Sequence, residues 1–384
     1  MIVYSVVVLF VAMLPVLMFL KNITLFTKAS RDRELLADVQ SMQVSVLIPA
    51  RNEGGSIGEA VRSILSSSHG KTTNLLEEEA FEVLVMDDHS EDNTAAIVEA
   101  ISATDGRVRL LRSKTLPENW NGKQHACWQL AHAARFGHLL FLDADVRLTD
   151  DAISRCLAEK KLRSAPLVSG FPLQETGTLA EKMLIPLMHY VLLGYLPIGR
   201  MRTTLGVGLA AGCGQLFLAE REAYMKAGGH AAIQNTRHDG IQLPRAFRKA
   251  GLMTDIFDAS DIARCRMYTS TRQVCNGLLK NATEGIANPR LIIIFSFLLV
   301  FGSILPIVSL VVGIFTGWSW IALTILFVAS VISFLPRLVA CGLFQQSSLG
   351  ACVHPLGVAW FVALQWIALI RKQFGLTTVW RGRK

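Results

Sequence analysis

The sequence lacks the patterns that mark disulfide-rich, zinc-binding or dinucleotide-binding proteins. Its seven cysteines are scattered without a paired or CxxC spacing, which argues against a disulfide framework and fits a reducing compartment. No GxGxxG motif follows the first strand-like run, which disfavours a dinucleotide-dependent oxidoreductase. Charged residues make up only 18% of the 384 residues, and hydrophobic residues make up 51%. This composition is too apolar for an ordinary cytosolic enzyme.

Long apolar runs account for the composition. Residues 2–20 are uncharged and long enough to cross a hydrocarbon core of roughly 30 Å. No basic stretch precedes this run and no small-residue cleavage site follows it, so the run lacks the features of a signal peptide. We therefore expect residues 1–22 to be a retained transmembrane anchor. The positive-inside rule places the middle of the chain in the cytoplasm, because the run is followed by Lys21, Lys28, Arg31 and Arg33.

The C-terminal part, residues 290–384, is predicted to be a membrane region with two or three spans. Its apolar runs are residues 291–315, 320–336 and 351–370. If all three cross, the basic C-terminus lies outside, against the positive-inside tendency. One run is then re-entrant or interfacial, and residues 351–370 are the candidate because His354 and Pro355 interrupt their start.

The net charge of +8 arises partly from basic clusters beside the apolar runs and from the terminal WRGRK. Anionic lipid headgroups explain this charge more simply than nucleic acid does. The sequence therefore predicts a multi-pass protein of the cytoplasmic (inner) membrane, with its soluble part in the cytoplasm and no nucleic-acid partner.

Residues 40–288 are predicted to form one soluble α/β domain. Strand-like runs lie at residues 44–49, 81–88, 108–112, 138–146 and 166–171, and helix-like stretches lie at 56–67, 93–103, 123–136 and 150–163. This alternation favours a mostly parallel sheet that binds its ligand at the carboxyl ends of the strands. Within residues 180–199, an apolar stretch is either a core helix or a helix at the membrane interface, and its scarcity of charge favours the interface.

Acidic residues follow the predicted strands. Asp143 and Asp145 come after an apolar strand in FLDADV, and residues two apart on a strand point to the same side, so both carboxylates can face one cation. Hard oxygen ligands of this kind select Mg²⁺ or Mn²⁺. Asp88 follows the second strand and is expected to accept hydrogen bonds from a ligand or from backbone N–H groups.

The stretch NWNGKQHACWQL, residues 119–130, places Lys123, His125 and Cys127 close together. A Cys/His nucleophile pair or a metal site is possible in principle, but residues two apart on a helix do not face each other. Lys123 at a helix N-terminus instead predicts contact with phosphate. His125 is a weaker candidate for the same pocket, and Cys127 is expected to be a packing residue.

The motifs LIPARNE, VLVMDDHSEDNT, FLDADV, GGH and HDGIQLPRAFRKAG occur in this order and resemble the family 2 glycosyltransferases. LPENWNGKQHAC, RMY and WRGRK are most similar to the membrane-anchored subgroup of carotenoid and hopanoid pathways. The resemblance covers residues 44–288 well. It implies a GT-A nucleotide-sugar-binding domain flanked by transmembrane helices, and transfer of a hexose from a UDP-sugar to a lipid. The QxxRW motif of processive relatives is absent, which favours transfer of a single sugar.

The resemblance implies a role for each matching residue. The nucleotide pocket would be lined by Pro49, Ala50, Arg51 and Glu53. Asp88 would accept the uracil N3–H, and Lys123 would lie near the diphosphate. Asp143 and Asp145 match the metal-binding DxD, which would hold Mg²⁺ or Mn²⁺ against the diphosphate.

On the acceptor side, Asp239 matches the catalytic base. It opens a helix-like run whose dipole favours the ionised carboxylate, and one carboxylate suffices to deprotonate an acceptor hydroxyl with inversion at C1. Gly212 and Gly214 would let the backbone approach the sugar closely. His238 stands where many relatives carry glutamate. Two alternatives remain open, transfer to a polyprenyl phosphate, which needs no strong base, and an inactive membrane scaffold with the same fold.

Overall fold

A computed structural model describes residues 1–69 and 80–375. Two compact units share the chain. We call Phe26–Glu175 with Gly199–Met267 the sheet unit, and Met1–Leu25, Thr176–Ile198 and the chain from Tyr268 onward the helical unit. The terminal WRGRK lies outside the described residues.

The strands are β1 Val44–Ala50, β2 Phe81–Asp87, β3 Val108–Arg112, β4 His138–Leu142, β5 Val146–Leu148, β6 Leu167–Phe171, β7 Leu173–Gln174, β8 Leu216–Glu220, β9 Thr254–Asp258 and β10 Ala263–Cys265. The helices are α1 Ile2–Ile23, α2 Arg33–Asp38, α3 Ile57–Leu65, α4 Thr94–Ser102, α5 Gly122–Ala133, α6 Ala152–Arg163, α7 Leu179–Leu184, α8 Leu187–Tyr195, α9 Ile198–Thr203, α10 Arg221–Lys226, α11 Asp239–Lys249, α12 Thr271–Ala282, α13 Ile292–Ser303, α14 Leu305–Phe315, α15 Trp320–Leu343, α16 Ser348–Cys352 and α17 His354–Gln373. Short 3₁₀ turns lie at Val207–Leu209 and Gly229–Ile233.

The main sheet has seven strands in the order β3-β2-β1-β4-β8-β6-β9. Every pair is parallel except those that β8 makes with β4 and β6. A second sheet has the order β5-β10-β7. The predicted α/β architecture with a mostly parallel sheet is confirmed, and the carboxyl ends of β1, β2 and β4 lie at one edge because these strands run in the same direction.

Helices cover both faces of the main sheet, which is why its central strands are almost entirely hydrophobic. On one face, Val46 and Ile48 of β1 lie in the same buried cluster as Ile57 of α3. On the other face, Leu47 lies in a cluster with Leu130 of α5. This alternation along β1 fixes the register of the strand, and with it the position of the residues that follow Ala50.

The sheet unit differs in extent from the predicted domain of residues 40–288. It begins earlier, because Ala29 N donates to the Asp258 carbonyl at 3.1 Å and Nη2 of the buried Arg155 donates to the Ala29 carbonyl at 2.6 Å. Residues 176–198, and those from Tyr268, group with the helical unit instead.

In the helical unit, three helices are long and apolar enough to cross a membrane, namely α1, α15 and α17. Residues 351–370 are interrupted near their start, as predicted, because α16 ends at Cys352 and α17 begins at His354, with Pro355 in its first turn. Residues 291–315 are also divided, into α13 and α14, which are bent by 51°. Pro306 at the start of α14 has no backbone N–H to continue the hydrogen-bond ladder of α13.

Candidate active site

Lys123 lies between two carboxylates that are distant from it in sequence. Its Nζ is 2.6 Å from Oδ1 of Asp143 and 2.8 Å from Oδ2 of Asp239. It also donates to the carbonyl of Gly214 at 3.3 Å. The structure thus brings together residues that follow β4, begin α11 and begin α5.

The start of α5 explains why Lys123 is held there. The side chain of Asn121 accepts a hydrogen bond from Lys123 N at 3.1 Å, as a helix N-cap does. Asn121 N in turn donates to the Gln234 carbonyl at 2.6 Å, and Asn119 adopts a left-handed φ of 64°, which asparagine tolerates better than most residues. The sequence NWNGK therefore forms a fixed cap that presents Lys123 at the sheet edge.

The three charges set one another's protonation. Burial would raise the pKa of Asp239, but the ammonium group of Lys123 lowers it to about 2. Burial and the negative charge of Asp239 together raise the pKa of Asp143, in spite of Lys123. Burial opposes the charge of Lys123, but the two carboxylates raise its pKa well above the ordinary range. At neutral pH Lys123 is therefore cationic and Asp239 anionic.

Asp145 has an unsatisfied carboxylate oxygen at this edge. Its Oδ1 is buried and has no hydrogen-bond partner in the described part of the chain. Burial, and then the nearby charges of Asp143 and Glu53, raise the pKa of Asp145 to about 7. An orphaned carboxylate oxygen beside two further acids suits a hard divalent cation. The residues described contain no set of three or more Asp, Glu, His or Cys side chains that could hold an ion alone.

The loops that follow β1 and β2 are tied to each other by hydrogen bonds. Asn52 N donates to Ser90 Oγ at 3.0 Å, and Gly54 N donates to Asp92 Oδ2 at 2.9 Å. Asn52 and His89 both have left-handed φ angles, 53° and 55°, a conformation that is costly for residues other than glycine. Asp92 therefore has a structural role in this loop pair.

The predicted nucleotide-pocket residues lie on this loop pair or at the strand end beside it. Asp88 N donates to the Ala50 carbonyl at 2.8 Å, and Arg51 Nη1 donates to the Asp88 carbonyl at 3.1 Å. Pro49 is half-buried at the end of β1, and Glu53 accepts from Ser56 Oγ at 3.0 Å. Glu53 also interacts electrostatically with the FLDADV acids, so it joins this group to the Lys123 cluster.

Because Gly212 and Gly214 have no side chain, the backbone there packs closely against the start of α11. A Cβ on Gly214 would lie 2.1 Å from Oδ1 of Asp239, and one on Gly212 would lie 2.6 Å from the Phe217 ring and 3.1 Å from the Gly240 carbonyl. The glycine-rich stretch therefore holds Asp239 against Lys123, a packing reason that the sequence did not reveal. His238 occupies the N-cap position of α11, next to Asp239.

His125 and Cys127 do not form a reactive pair. His125 is buried, with Nδ1 3.2 Å from Gln129 Nε2 and its ring 5.3 Å from that of Trp120. Burial lowers the pKa of His125. Cys127 lies in the core cluster on the α5 face of the sheet, and burial raises the pKa of its thiol, so it is not a thiolate nucleophile at neutral pH.

Sequence reasoning missed Arg147, which holds the backbone around Asp145. Its Nη1 donates to the carbonyls of Ala144 and Val146, at 3.2 Å each, and its Nε donates to Glu59 Oε2 at 3.2 Å. An arginine four residues after Asp143 carries no signal of this role by itself, because the contacts depend on the turn between β4 and β5.

Comparison with known proteins agrees with this geometry. The family model described as Glycosyl transferase family 2 matches residues 45–225. These residues are a family 2 glycosyltransferase domain. A relative named 4,4'-diaponeurosporenoate glycosyltransferase, from Staphylococcus aureus strain USA300, is 26% identical over 289 residues, which cover 70% of this chain and 68% of the relative. The protein of the same name from strain MRSA252 is 26% identical over 281 residues, with the same coverage. The chain is accordingly a glycosyltransferase.

A solved structure resembles the whole chain in fold. It is a mannosyltransferase from Pyrobaculum calidifontis in complex with GDP-Man and Mn²⁺, with a TM-score of 0.53, 16% identity and 98% of each chain covered. At this identity the likeness concerns the fold alone. It agrees with a GT-A-like fold for the transferase, as the sequence predicted.

Proposed function

We propose that this transferase moves a single hexose from a UDP-sugar to a membrane lipid, with inversion at C1 and with a divalent cation. The observation that carries the proposal is the array of Asp145, Asp143, Lys123 and Asp239 at the carboxyl edge of the sheet. It offers a place for a cation, a mobile positive charge and a buried carboxylate base.

The donor nucleotide would bind at the ends of β1 and β2. Asp88 is buried there, and its carboxylate can accept the N3–H of uracil, which supports UDP. Pro49, Ala50 and Arg51 surround it as the other lining residues. The Pyrobaculum mannosyltransferase was solved with a GDP-sugar, so the nucleotide is a point that experiment has to decide.

A divalent cation, Mg²⁺ or Mn²⁺, would be held by Asp145 and Asp143, with Glu53 close by. Two carboxylates with the remaining positions left to diphosphate oxygens and water is the arrangement that Mg²⁺ prefers. When bound, the ion would neutralise charge on the diphosphate as it leaves. Asp145 supports this assignment most directly, because its orphaned oxygen Oδ1 and raised pKa are what a cation would relieve.

Asp239 would act as the base. The acceptor hydroxyl oxygen attacks C1 as the bond from C1 to the diphosphate oxygen breaks, and the hydroxyl proton passes to Asp239. The electron pair of the broken bond leaves with UDP, whose negative charge Lys123 can stabilise. In the structure Lys123 is paired with Asp239, so it has to shift toward the diphosphate before Asp239 can accept a proton. His238, Gly212 and Gly214 would border the acceptor.

A lipid acceptor is supported by two observations. The described part of the chain contains three helices that are long and apolar enough to cross a membrane. Its Staphylococcus aureus relative is named for diaponeurosporenoate, a carotenoid acid. We propose a carotenoid-type, hopanoid-type or other membrane lipid as the acceptor, at the inner membrane with the sheet unit in the cytoplasm.

The experiment is a transfer assay with the purified full-length protein. Radiolabelled UDP-sugars and GDP-sugars are incubated with a lipid extract, with and without EDTA, and label in the lipid phase is counted. We expect the lipid to be labelled by a UDP-sugar and not by a GDP-sugar. EDTA should abolish this labelling, and added Mn²⁺ or Mg²⁺ should restore it. No cation-dependent lipid label from any donor would exclude the proposal of metal-dependent transfer to a lipid.

Asp239→Asn distinguishes a hydroxyl acceptor from a polyprenyl phosphate. With a hydroxyl, turnover falls at least a hundredfold and donor binding persists, because only the base is lost. With an acceptor that is already anionic, either a phosphate or the carboxylate of a lipid acid, no strong base is needed and turnover stays within a few-fold. Asp38→Asn is the control, since Asp38 lies on the surface and its pairing with Lys161 at 3.0 Å is exposed on both sides.

A further inference from the structure

Arg337 is a buried charge that has no counterion among the described residues. It lies in α15, one of the helices long and apolar enough to cross a membrane, and only 1% of its surface is exposed. Its Nη2 donates a long hydrogen bond of 3.5 Å to the Lys182 carbonyl, which lacks its helical donor because Pro186 has no N–H. Nε and Nη1 have no hydrogen-bond partner among residues 1–69 and 80–375.

The helical unit cannot readily supply a carboxylate. The segments that form it contain only Glu181 and Glu284, and no acidic residue follows Glu284 in the sequence. Glu181 accepts hydrogen bonds from Gly177 N, from Thr178 N and from the Thr178 hydroxyl at the start of α7. A guanidinium group stays charged at any physiological pH, and a buried charge is normally paired. In the described part of the helical unit no carboxylate pairs with Arg337, so its charge is open to an anion from outside the chain.

Other hydrogen-bonding groups converge on the same place from separate helices. His354 of α17 is buried, and its Nδ1 has no partner in the described chain. Its Nε2 lies 3.2 Å from Ser303 Oγ of α13, which lies 3.0 Å from the Tyr190 hydroxyl of α8. Arg337 interacts electrostatically with His354, with Tyr190 and with His189. The cluster contains a fixed cation and several groups able to donate, and no acid.

We propose that Arg337 and His354 form a binding site for the anionic group of a membrane amphiphile, a carboxylate or a phosphate. The planar guanidinium fork matches both groups with two parallel hydrogen bonds, and Nε and Nη1 are the donors left for them. The helices around the site are apolar, so the rest of such a ligand would be hydrocarbon. None of the residues proposed for the transfer reaction belongs to this site.

Two pairs of probes test the site in the full-length protein, reconstituted in phosphatidylcholine nanodiscs. Spin-labelled stearic acid is compared with its methyl ester, and phosphatidylglycerol with added phosphatidylcholine, by electron paramagnetic resonance and native mass spectrometry. We expect at least one anionic probe to bind tenfold more tightly than its neutral partner. Arg337→Gln should remove that preference. Lys372→Gln, which removes an exposed charge near the end of α17, should keep it.

The probes also identify the source of the anion. A preference for stearic acid alone identifies a single-chain carboxylate, and a preference for phosphatidylglycerol alone identifies a bilayer phospholipid. Equal binding of the anionic and neutral probes by the unmodified protein overturns the proposal without any variant. An Arg337→Gln protein that keeps the preference also overturns it. If that variant fails to fold, Arg337→Lys serves instead, and its retained charge without the fork is expected to weaken the preference.

Discussion

Replacing Lys123 tests the proposed cation site, because its ammonium group lies beside one of the two carboxylates proposed to hold the ion. In the structure its ammonium group supplies the positive charge beside Asp143 and Asp239, at 2.6 and 2.8 Å. A divalent ion on Asp143 and Asp145 would have to displace that ammonium group or lie next to it. We therefore expect Lys123→Gln to bind Mn²⁺ more tightly than the unmodified protein when no nucleotide is present.

The size of this effect follows from the charges. Two unit charges about 4 Å apart interact by about 4 kcal/mol at an effective dielectric constant of about 20. A third of the Lys123 side chain is exposed, and solvent screening and side-chain movement reduce the gain, so we expect about 1.4 kcal/mol or more. That energy corresponds to at least a tenfold fall in the Kd for Mn²⁺. Turnover should fall at least a hundredfold, because the leaving diphosphate loses a stabilising charge.

Isothermal titration with Mn²⁺ on nucleotide-free protein measures the first effect, and thermal unfolding with and without Mn²⁺ gives an independent reading. Without metal the variant should melt earlier than the unmodified protein, since two acids lose their cation, and Mn²⁺ should restore more of its stability. Lys161→Gln is the matched control because Lys161 pairs only at the surface, where ion pairs contribute little. Unchanged or weaker Mn²⁺ binding by Lys123→Gln would refute the reasoning.

Two further substitutions follow from the packing around the same cluster. Gly214→Ala should lower turnover at least tenfold with the fold intact, because its Cβ would lie 2.1 Å from Oδ1 of Asp239. Gly208→Ala is the control and should have no effect, because a Cβ there meets nothing within 4 Å. Equal turnover rates of the two variants would contradict the packing argument. Burial lowers the pKa of His230 from 6.5 to about 3. Below pH 6.5 the imidazole is therefore protonated in the unfolded chain and neutral in the folded chain, so the free energy of unfolding falls as the pH decreases. Between pH 7 and pH 5 this costs about 2 kcal/mol, and urea unfolding of His230→Gln should show a shallower decline; a parallel decline would place the proton uptake elsewhere.

The secondary structure of the sheet unit was predicted well because short sequence patterns determine its strands, helices and loops. Runs such as VSVLIP end at polar loops, and most predicted strands and helices lie within a few residues of the observed bounds. The predicted strand 138–146 is the exception, because it divides into β4 and β5, and Asp143 and Asp145 lie in the turn between them and not on a strand. Asp143 and Asp145 were predicted from an acidic pair after an apolar strand, and Asp239 was predicted from the family resemblance. The pairing of Lys123 with Asp143 and Asp239 was not predictable, since it depends on how β4, α5 and α11 are placed in three dimensions.

The helices of the C-terminal apolar runs were predicted less accurately, because mean hydropathy does not reveal helix breaks or buried charged residues. Residues 291–315 look uninterrupted, yet Pro306 divides them into α13 and α14. The predicted run from Trp320 ended at Pro336, whereas α15 continues to Leu343 and buries Arg337. A proline inside an apolar run weakens the helix locally without changing mean hydropathy. Tertiary contacts alone decide whether the helix continues.

The resting geometry also implies an order of binding. Both oxygens of Asp239 are engaged, Oδ2 by Lys123 at 2.8 Å and Oδ1 by Gly240 N at 2.8 Å, and Lys123 holds the pKa of Asp239 at about 2. A carboxylate in this state is a poor proton acceptor. Binding of the donor would draw Lys123 to the diphosphate, which frees Oδ2 and removes the charge that depresses the pKa.

Donor binding would thus create the base that the acceptor needs, and we expect the donor to bind first. Product inhibition measures this, since UDP should compete with the UDP-sugar and be noncompetitive toward the acceptor. Inhibition by UDP that is competitive toward both substrates would show that the acceptor binds while Lys123 still holds Asp239. In that case the shift of Lys123 would not be what makes Asp239 a base.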